Sequence, residues 1–535
     1  MAGHRRGVAM LSRRAFLGTA AASVTLSLRA QPGASLVAKT EHGQVRGALK
    51  DGVVLFKGIP YAGAPVGEYR FRPAPPLKPW SGVREALLYG PQSMQAADPA
   101  WPKTWKAADT SEDCLYLNVW TPAADAKHRP VMFYSHGGGF ATGNGGAEVT
   151  PQNLFHDGAA LARDYDVVVV THNHRLNIMG YLYLGDLLGE QYAASGIVGM
   201  LDIVAALEWV HGNIANFGGD PDRVMIWGES GGGAKTTVLT AMPGAQGMYH
   251  RASIESGSAL RMKSRESASA TARAVLTALG LRENQARQLL TMPAADLIAA
   301  MSKLPHPPLS LGRVSSGMAD GIGFAPMVDG HHLPADPYDP TAPKISADIP
   351  MIVGTNKDET LFIFRAPAML SMDESTLRQH LTAMFQNNAG RILEVYQHSR
   401  PGATPAELFI AITTAQWMLR DAITMAERKA ALKAGPVYMY QFAYGSPSPA
   451  PAGVPYHSGS AHAAEMPYKF DHVPDGKNMS AAWAAFARSG NPSHGGIPSW
   501  PPYTLDRRAT MILAEECRVV DDPHRDERLL WESLG

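Results

Sequence analysis

Val224-Met225-Ile226-Trp227-Gly228-Glu229-Ser230-Gly231-Gly232-Gly233-Ala234-Lys235-Thr236-Thr237-Val238-Leu239 is the stretch on which the fold turns. Its first four residues form an apolar run that reads as a buried strand, and the residues from Gly233 onward read as the opening of a helix. Between them Gly228-Glu229-Ser230-Gly231-Gly232 fits the G-x-S-x-G turn. A serine at such a turn adopts a strained backbone, and small neighbours let strand and helix come close enough to allow it. The hydroxyl is then pushed out of the sheet edge, and the next amide sits at a helix N-terminus, where the dipole favours negative charge. That is the geometry of a serine nucleophile. With 52 glycines in the chain, a tight structural turn that happens to hold a serine is the competing reading.

The surroundings of this stretch are α/β in character. Val131–Tyr134, Val167–Val170, Val224–Trp227, Met351–Val353 and Val437–Tyr440 are short apolar or aromatic runs. Their apolarity is continuous rather than alternating, which predicts strands covered on both faces and hence a largely parallel sheet between helices. Helical patterns run from Met200 to Ile214 and from Ala406 to Ala434, and the Pro-rich stretch from Gly445 to Gly459 reads as a surface loop. The 535 residues are 45% hydrophobic, enough for a large core. Length alone suggests three or four domains, but one α/β domain with inserted excursions accommodates it. Lys+Arg and Asp+Glu balance at 48 each, so no charge excess points to nucleic acid or an anionic membrane surface. Two cysteines, Cys114 and Cys517, leave any pairing open.

The first thirty residues belong to a different argument. Arg5, Arg6, Arg13 and Arg14 precede a short apolar stretch, Ala15 to Leu28, and a small residue follows at Ala30. This pattern predicts an export signal, 1–30, cleaved near Ala30-Gln31, too short to span a membrane. Ser12-Arg13-Arg14-Ala15-Phe16-Leu17 resembles a twin-arginine signal, with an ordinary Sec signal as the alternative. The mature chain, 31–535, is then expected outside the cytoplasm, periplasmic or secreted, as a single catalytic domain without stable membrane insertion.

A serine hydroxyl needs a base and needs donors for the oxyanion it creates. Ser135-His136-Gly137-Gly138-Gly139-Phe140 follows the Val131 strand and fits the HGGG-type loop that accompanies this nucleophile. The amides of Gly138, Gly139 and Gly231 are the candidate oxyanion donors.

The chain resembles the type-B carboxylesterase family, relatives of the cholinesterases within the α/β-hydrolases. The resemblance runs through Phe56-Lys57-Gly58-Ile59-Pro60-Tyr61-Ala62, Ser111-Glu112-Asp113-Cys114-Leu115-Tyr116-Leu117-Asn118-Val119 and Asn173-His174-Arg175-Leu176-Asn177. It continues through Ala206-Leu207-Glu208-Trp209-Val210 and Asn216-Phe217-Gly218-Gly219-Asp220-Pro221, and ends at Ser489-Gly490-Asn491-Pro492. It implies an α/β-hydrolase fold and carboxylic-ester hydrolysis through a Ser-His-Glu triad and an acyl-enzyme. It implies a small-molecule ester as substrate, and neither cofactor nor metal. A lipase or an amidase would use the same groups, and a non-catalytic binding protein on this fold is a more distant alternative.

The resemblance also selects among residues that spacing leaves open. Of 19 histidines, His462 lies in a segment similar to the family's general-base segment, Gly459 to Tyr468, with His457, His472 and His136 as competitors. In Gly354-Thr355-Asn356-Lys357-Asp358-Glu359 the aligned acid is Glu359, with Asp358 as its rival. The order Ser230…Glu359…His462 agrees with the α/β-hydrolase order. Glu229 and Ser256 resemble groups that support the triad, although either could be a structural polar residue. Activity through a histidine base is expected to fall on acidification around the ordinary imidazole value of about 6.5.

Three positions depart from the family pattern. Gly90 to Gln95 lacks a cysteine that many relatives carry, so an early disulfide is not expected and the loop with Trp101 and Trp105 is less constrained. Gly231 stands where alanine is usual, with little mechanistic consequence expected. Thr360 stands where glycine usually follows the acid.

Overall fold

Along Val224-Met225-Ile226-Trp227 successive side chains point to opposite faces of the sheet, and each set packs in its own core. Val224 and Ile226 point into one core with Met200, Ile203, Leu207 and Val210. Met225 and Trp227 point into the opposite core with Met479, Ala482, Trp483 and Phe486. Both sets are fully buried, and each large apolar side chain so buried stabilises the fold by roughly 1.5–3 kcal/mol. This double covering is why the strands read as continuous apolar runs.

In the computed structural model, the residues described are 36–96, 109–146, 156–305, 318–364, 366–445 and 459–535. The export signal, Trp101, Trp105, His457 and all but the ends of the Gly445–Gly459 loop lie outside them. The described residues fall within one compact unit, Ala34–Gly535.

Eleven strands build the main sheet. In chain order they are β1 (Ala48–Lys50), β2 (Val53–Pro60), β3 (Tyr116–Thr121), β4 (Arg129–Ser135), β5 (Val168–His172), β6 (Gly219–Glu229), β7 (Arg251–Glu255), β8 (Met351–Asn356), β9 (Val437–Phe442), β10 (Ala509–Leu513) and β11 (Arg518–Asp521). Their order across the sheet is β1-β2-β3-β5-β4-β6-β7-β8-β9-β10-β11. The strands from β5 to β10 run parallel, whereas β1–β3 and β11 join antiparallel at the two sides. The covering helices include α1 (Val198–Asn213), α2 (Gly231–Leu239), α3 (Pro405–Thr414), α4 (Arg420–Ala431) and α5 (Lys477–Ser489).

Four of the five apolar runs lie wholly in strands and the fifth, Val167–Val170, enters β5 at Val168, while the pattern from Met200 lies in α1 up to Asn213. The pattern from Ala406 to Ala434 is not one regular helix. A π-helical turn, Ala415–Leu419, separates α3 from α4. Wide turns of this kind carry an extra residue within an otherwise continuous helix and often occur at functional sites. Nothing in the apolar periodicity marks it.

Register fixes where the functional segments emerge. Gly228 of β6 pairs with Ser135 of β4, Glu229 with Glu255 of β7, and Glu255 with Gly354 of β8. The glycine loop after β4, the serine turn after β6 and the acidic turn after β8 therefore leave the same carboxyl edge side by side. In open α/β sheets that edge is where ligands bind.

Candidate active site

Ser230 has φ 56° and ψ −123°, a conformation that costs on the order of 1–3 kcal/mol for a residue with a side chain. The neighbours hold it there. The Ser230 amide donates to the Glu255 carbonyl at 2.9 Å, and its own carbonyl accepts from the Ala234 amide at 3.0 Å. Close approach explains the glycines. A Cβ on Gly228 would stand 2.6 Å from the Ser135 carbonyl oxygen, one on Gly233 would stand 2.7 Å from that of Glu255, and one on Gly232 would overlap Ser135.

The glycine loop folds over this turn. Gly138 and Gly139 take φ of 85° and 61°, the left-handed region where glycine is favoured. Their amides and that of Gly231 have no acceptor among the described residues. A Cβ on Gly231 would overlap the Gly139 backbone, so the absent methyl group is what lets the loop close on the start of α2. The departure at Gly231, expected to matter little, thus sets how the loop packs. The loop is pinned from outside by Gln95, whose side-chain amide donates to the Gly143 carbonyl at 2.9 Å and whose oxygen accepts from the Gly143 amide at 2.8 Å.

His462 stands between Ser230 and Glu359. Its Nε2 is 2.8 Å from Ser230 Oγ, and its Nδ1 is 2.6 Å from Glu359 Oε2. In the neutral tautomer this chain allows, Nδ1–H donates to Glu359 and Nε2 accepts from the Ser230 hydroxyl. Glu359 is fully buried, and its other oxygen accepts from the Ser256 hydroxyl at 2.5 Å and the Asn356 amide at 2.7 Å. Asp358, the rival acid, joins the His462 segment through its backbone, donating to the Ser460 carbonyl at 3.0 Å. His136 lies buried beside His174, and His472 lies against the Asp157 carbonyl.

Glu229 reaches the same imidazole, with Oε1 3.3 Å from Nε2. Burial pushes the Glu229 carboxyl up to about 8, partly opposed by His462. Burial would pull His462 down, but Glu229 and Glu359 outweigh it and push the imidazole up to about 10. The ordinary value expected from sequence is therefore displaced upward. Close to this hydrogen-bonded chain, Lys469 pairs with Glu255 at 2.7 Å and Glu465 at 3.2 Å, all three fully buried. Asn356 donates to Glu465 at 2.5 Å, tying that pair to the acidic turn.

Several contributors were not legible as site residues. Trp417 of the π-helical turn and Phe362 pack on the His462 ring at 5.1 and 5.9 Å between ring centres. Thr360, the third departure, hydrogen-bonds Thr413 at 2.7 Å and so fastens the acidic turn to α3. Cys114 and Cys517 are both free and buried. Among the described residues no cluster of three or more His, Cys, Asp or Glu could hold a metal ion, and no single helix is long and apolar enough to cross a membrane.

The pattern of the carboxylesterase family matches residues 34–530. The para-nitrobenzyl esterase of Bacillus subtilis (strain 168) is 33% identical over 518 residues, covering 93% of this chain and 99% of its own. The phenmedipham hydrolase of Pseudarthrobacter oxydans is 31% identical over 521 residues, with the same two coverages, 93% and 99%. Among solved structures, the carboxylesterase of Geobacillus stearothermophilus is 36% identical and superposes with a TM-score of 0.76, over 93% of this chain and 100% of that one. An esterase from Clostridium hathewayi described as able to hydrolyse aliphatic aromatic polyesters is 33% identical, also with a TM-score of 0.76, over 93% and 98%. With a sheet, a serine turn and a glycine loop of this kind, the chain belongs to the carboxylesterase family, ester-hydrolysing enzymes of the α/β-hydrolase fold.

Proposed function

We propose that the protein hydrolyses carboxylic esters in two acyl-transfer steps centred on Ser230. The observation that carries this reading is the unbroken hydrogen-bonded chain from Ser230 Oγ through His462 to Glu359, at 2.8 and 2.6 Å. In the first step Ser230 Oγ bonds to the ester carbonyl carbon while its proton passes to His462 Nε2. The carbonyl electron pair becomes an oxyanion held by the Gly138, Gly139 and Gly231 amides. The carbon–alkoxy bond then breaks, and the alcohol leaves with the proton from His462. In the second step water repeats the sequence on the acyl-enzyme and frees the acid and Ser230. Glu359 keeps Nε2 facing the serine and stabilises the imidazolium without taking the proton itself. Ser256 holds Glu359, and Glu229 is placed to sense the charge on His462.

Trp417 and Phe362 on the imidazole make one wall of the site aromatic. Flat rings stack favourably on such a wall, which favours esters with an aromatic acyl or alcohol part. Relatives named for para-nitrobenzyl esters and phenmedipham are in keeping with that preference. A lipase or amidase reading uses the same groups, and Glu359 and His462 beside an intact serine leave little room for a non-catalytic one. The Arg13-Arg14 segment supports export of the mature chain, which detection in a periplasmic or secreted fraction would test.

Ser230→Ala should abolish p-nitrophenyl ester hydrolysis, a loss of roughly 10⁴–10⁶ in kcat, with the fold intact by circular dichroism. Fluorophosphonate labelling mapped to a peptide other than that of Ser230, or activity retained in the variant, would refute the assignment. A panel of aryl, alkyl, emulsified long-chain and anilide substrates then ranks the ester, lipase and amidase readings.

A further inference from the structure

We propose that Lys235 is a positioning residue of the oxyanion hole, a buried cation that fixes the His136 carbonyl and lends its charge to the glycine loop from behind. This rests on the acyl-transfer reading above.

Lys235 is fully buried, and its ammonium donates to the His136 carbonyl at 2.8 Å. Among the described residues no carboxylate pairs with it. Its titratable neighbours are all imidazoles: His136 on the glycine loop, His156, and His172 and His174 at the end of β5. Burial holds each of these below its ordinary value, so they are neutral near pH 7 and compete for no anion. A lone buried ammonium is costly, and a sequence can discard it by exchanging lysine for an isosteric methionine. Retaining it calls for a use.

The position supplies one. Lys235 lies on α2 one turn beyond Gly231, so a single helix presents one candidate oxyanion amide and braces the loop carrying the other two. His136 is the residue before Gly137, and its carbonyl is where the chain leaves β4 and turns into that loop. The lysine ammonium also lies 5.8 Å from the centre of the Phe140 ring at the far end of the glycines. Lys235 therefore spans the loop. Negative charge arising on a substrate oxygen in front of the glycines would meet this cation in a region of low polarity, where charge interactions are strong. Burial lowers the ammonium to about 7, and an oxyanion in the hole would raise it again. Lys235 would then be more fully charged in the tetrahedral state than in the free enzyme.

An alkyl trifluoromethyl ketone tests this. Ser230 Oγ bonds to its carbonyl carbon, the serine proton goes to His462, and the carbonyl oxygen becomes an alkoxide in the hole. Lys235→Met keeps the side-chain length and removes charge and donor. It should weaken ketone affinity and kcat by about 10–100-fold, a little less than loss of one oxyanion donor. KM for p-nitrophenyl acetate should change by less than about twofold, because ground-state binding places no charge there. His462 and Glu229 also titrate above neutrality, so the lysine is read as a difference: from about pH 7 upward, the ratio of ketone affinity in the unmodified enzyme to that in Lys235→Met should fall with rising pH. Equal ketone affinity in the variant and the unmodified enzyme overturns the proposal. So do parallel pH profiles of ketone affinity for the unmodified enzyme and Lys235→Met or, should that variant not fold, for the unmodified enzyme and Lys235→Gln. Ser230→Ala separates the two readings. If it binds the ketone as tightly as the unmodified enzyme, the nucleophile assignment falls and this proposal with it. If its binding is lost while Lys235→Met binds normally, only the lysine proposal falls.

Discussion

Two lysines lie fully buried near the candidate site, and the protein treats them in opposite ways. Lys469, behind the histidine, meets two carboxylates, Glu255 and Glu465. Lys235, beneath the glycine loop, meets a single carbonyl. Burial lowers the proton affinity of both, but at Lys469 the two carboxylates overcompensate and raise it, whereas at Lys235 nothing offsets burial and the ammonium falls to about 7. Burial alone therefore does not decide whether a lysine is charged; its partners do. One lysine is paired within a buried ionic network. The other has a carbonyl but no carboxylate as its partner.

The largest expected difference is in stability. Lys469→Met strands two buried carboxylates and should cost about 3–5 kcal/mol in a urea melt, with Lys469→Met/Glu255→Gln/Glu465→Gln recovering most of it. A single substitution that costs under 1 kcal/mol would mean the network is wet or already neutral. Next comes a contrast of sign with pH. For Lys235 the folded value lies below the unfolded one, so from about pH 7 to pH 10 the unfolded chain binds more protons and stability should rise with pH relative to Lys235→Met. For Lys469 the folded value is raised, so its stabilising share is complete below the unfolded value and is lost only as pH climbs through the folded one. Urea melts at pH 7 and pH 9.5 check the first, and parallel curves for the two proteins would contradict it.

Glu229 is where the glycine loop and the histidine meet, since a Cβ on Gly137 would stand 3.3 Å from its Oε2 and His462 Nε2 lies 3.3 Å from its Oε1. In the proposed reaction the histidine must be neutral to take the serine proton, and Glu229 raises its proton affinity. Glu229→Gln should therefore shift the acidic limb of the kcat/KM profile to lower pH, by about one unit. A limb that stays put would show that Glu229 is neutral throughout the working range. The smallest effect belongs to the far side of the acidic turn. Thr360→Val breaks the hydroxyl contact to Thr413 and should lower stability by about 1 kcal/mol, read as a shift in urea midpoint at constant m.

How much of this could be read from the chain follows the same division. The sheet was legible because doubly covered strands leave continuous apolar runs such as Val167–Val170. The serine turn and glycine loop were legible because close backbone approach permits only glycine at several positions, and that demand is written locally. Glu359 and His462 were not recoverable from spacing. They are brought together by loops from β8 and beyond β9, across 103 residues, and resemblance alone singled them out. Lys235 and Lys469 leave one usable signal, a charged residue inside an otherwise buried segment, as in Met466-Pro467-Tyr468-Lys469-Phe470. Trp417 leaves none, because its direction depends on a turn that side-chain periodicity does not encode.

That turn has a consequence for how the family can diversify. A π-helical turn is an α-helix holding one surplus residue, and each residue of an α-helix advances it by about 100°. Losing one residue from Ala415–Leu419 would restore the regular spiral while α3 and α4 kept their packing. Trp417 would be swung away from His462 and a neighbour brought round in its place. The aromatic contact on His462 is thus one deleted codon from being replaced, with Ser230, His462 and Glu359 all unchanged. Which ring lies against His462 thus depends on the length of this helix as well as on the identity of its side chains.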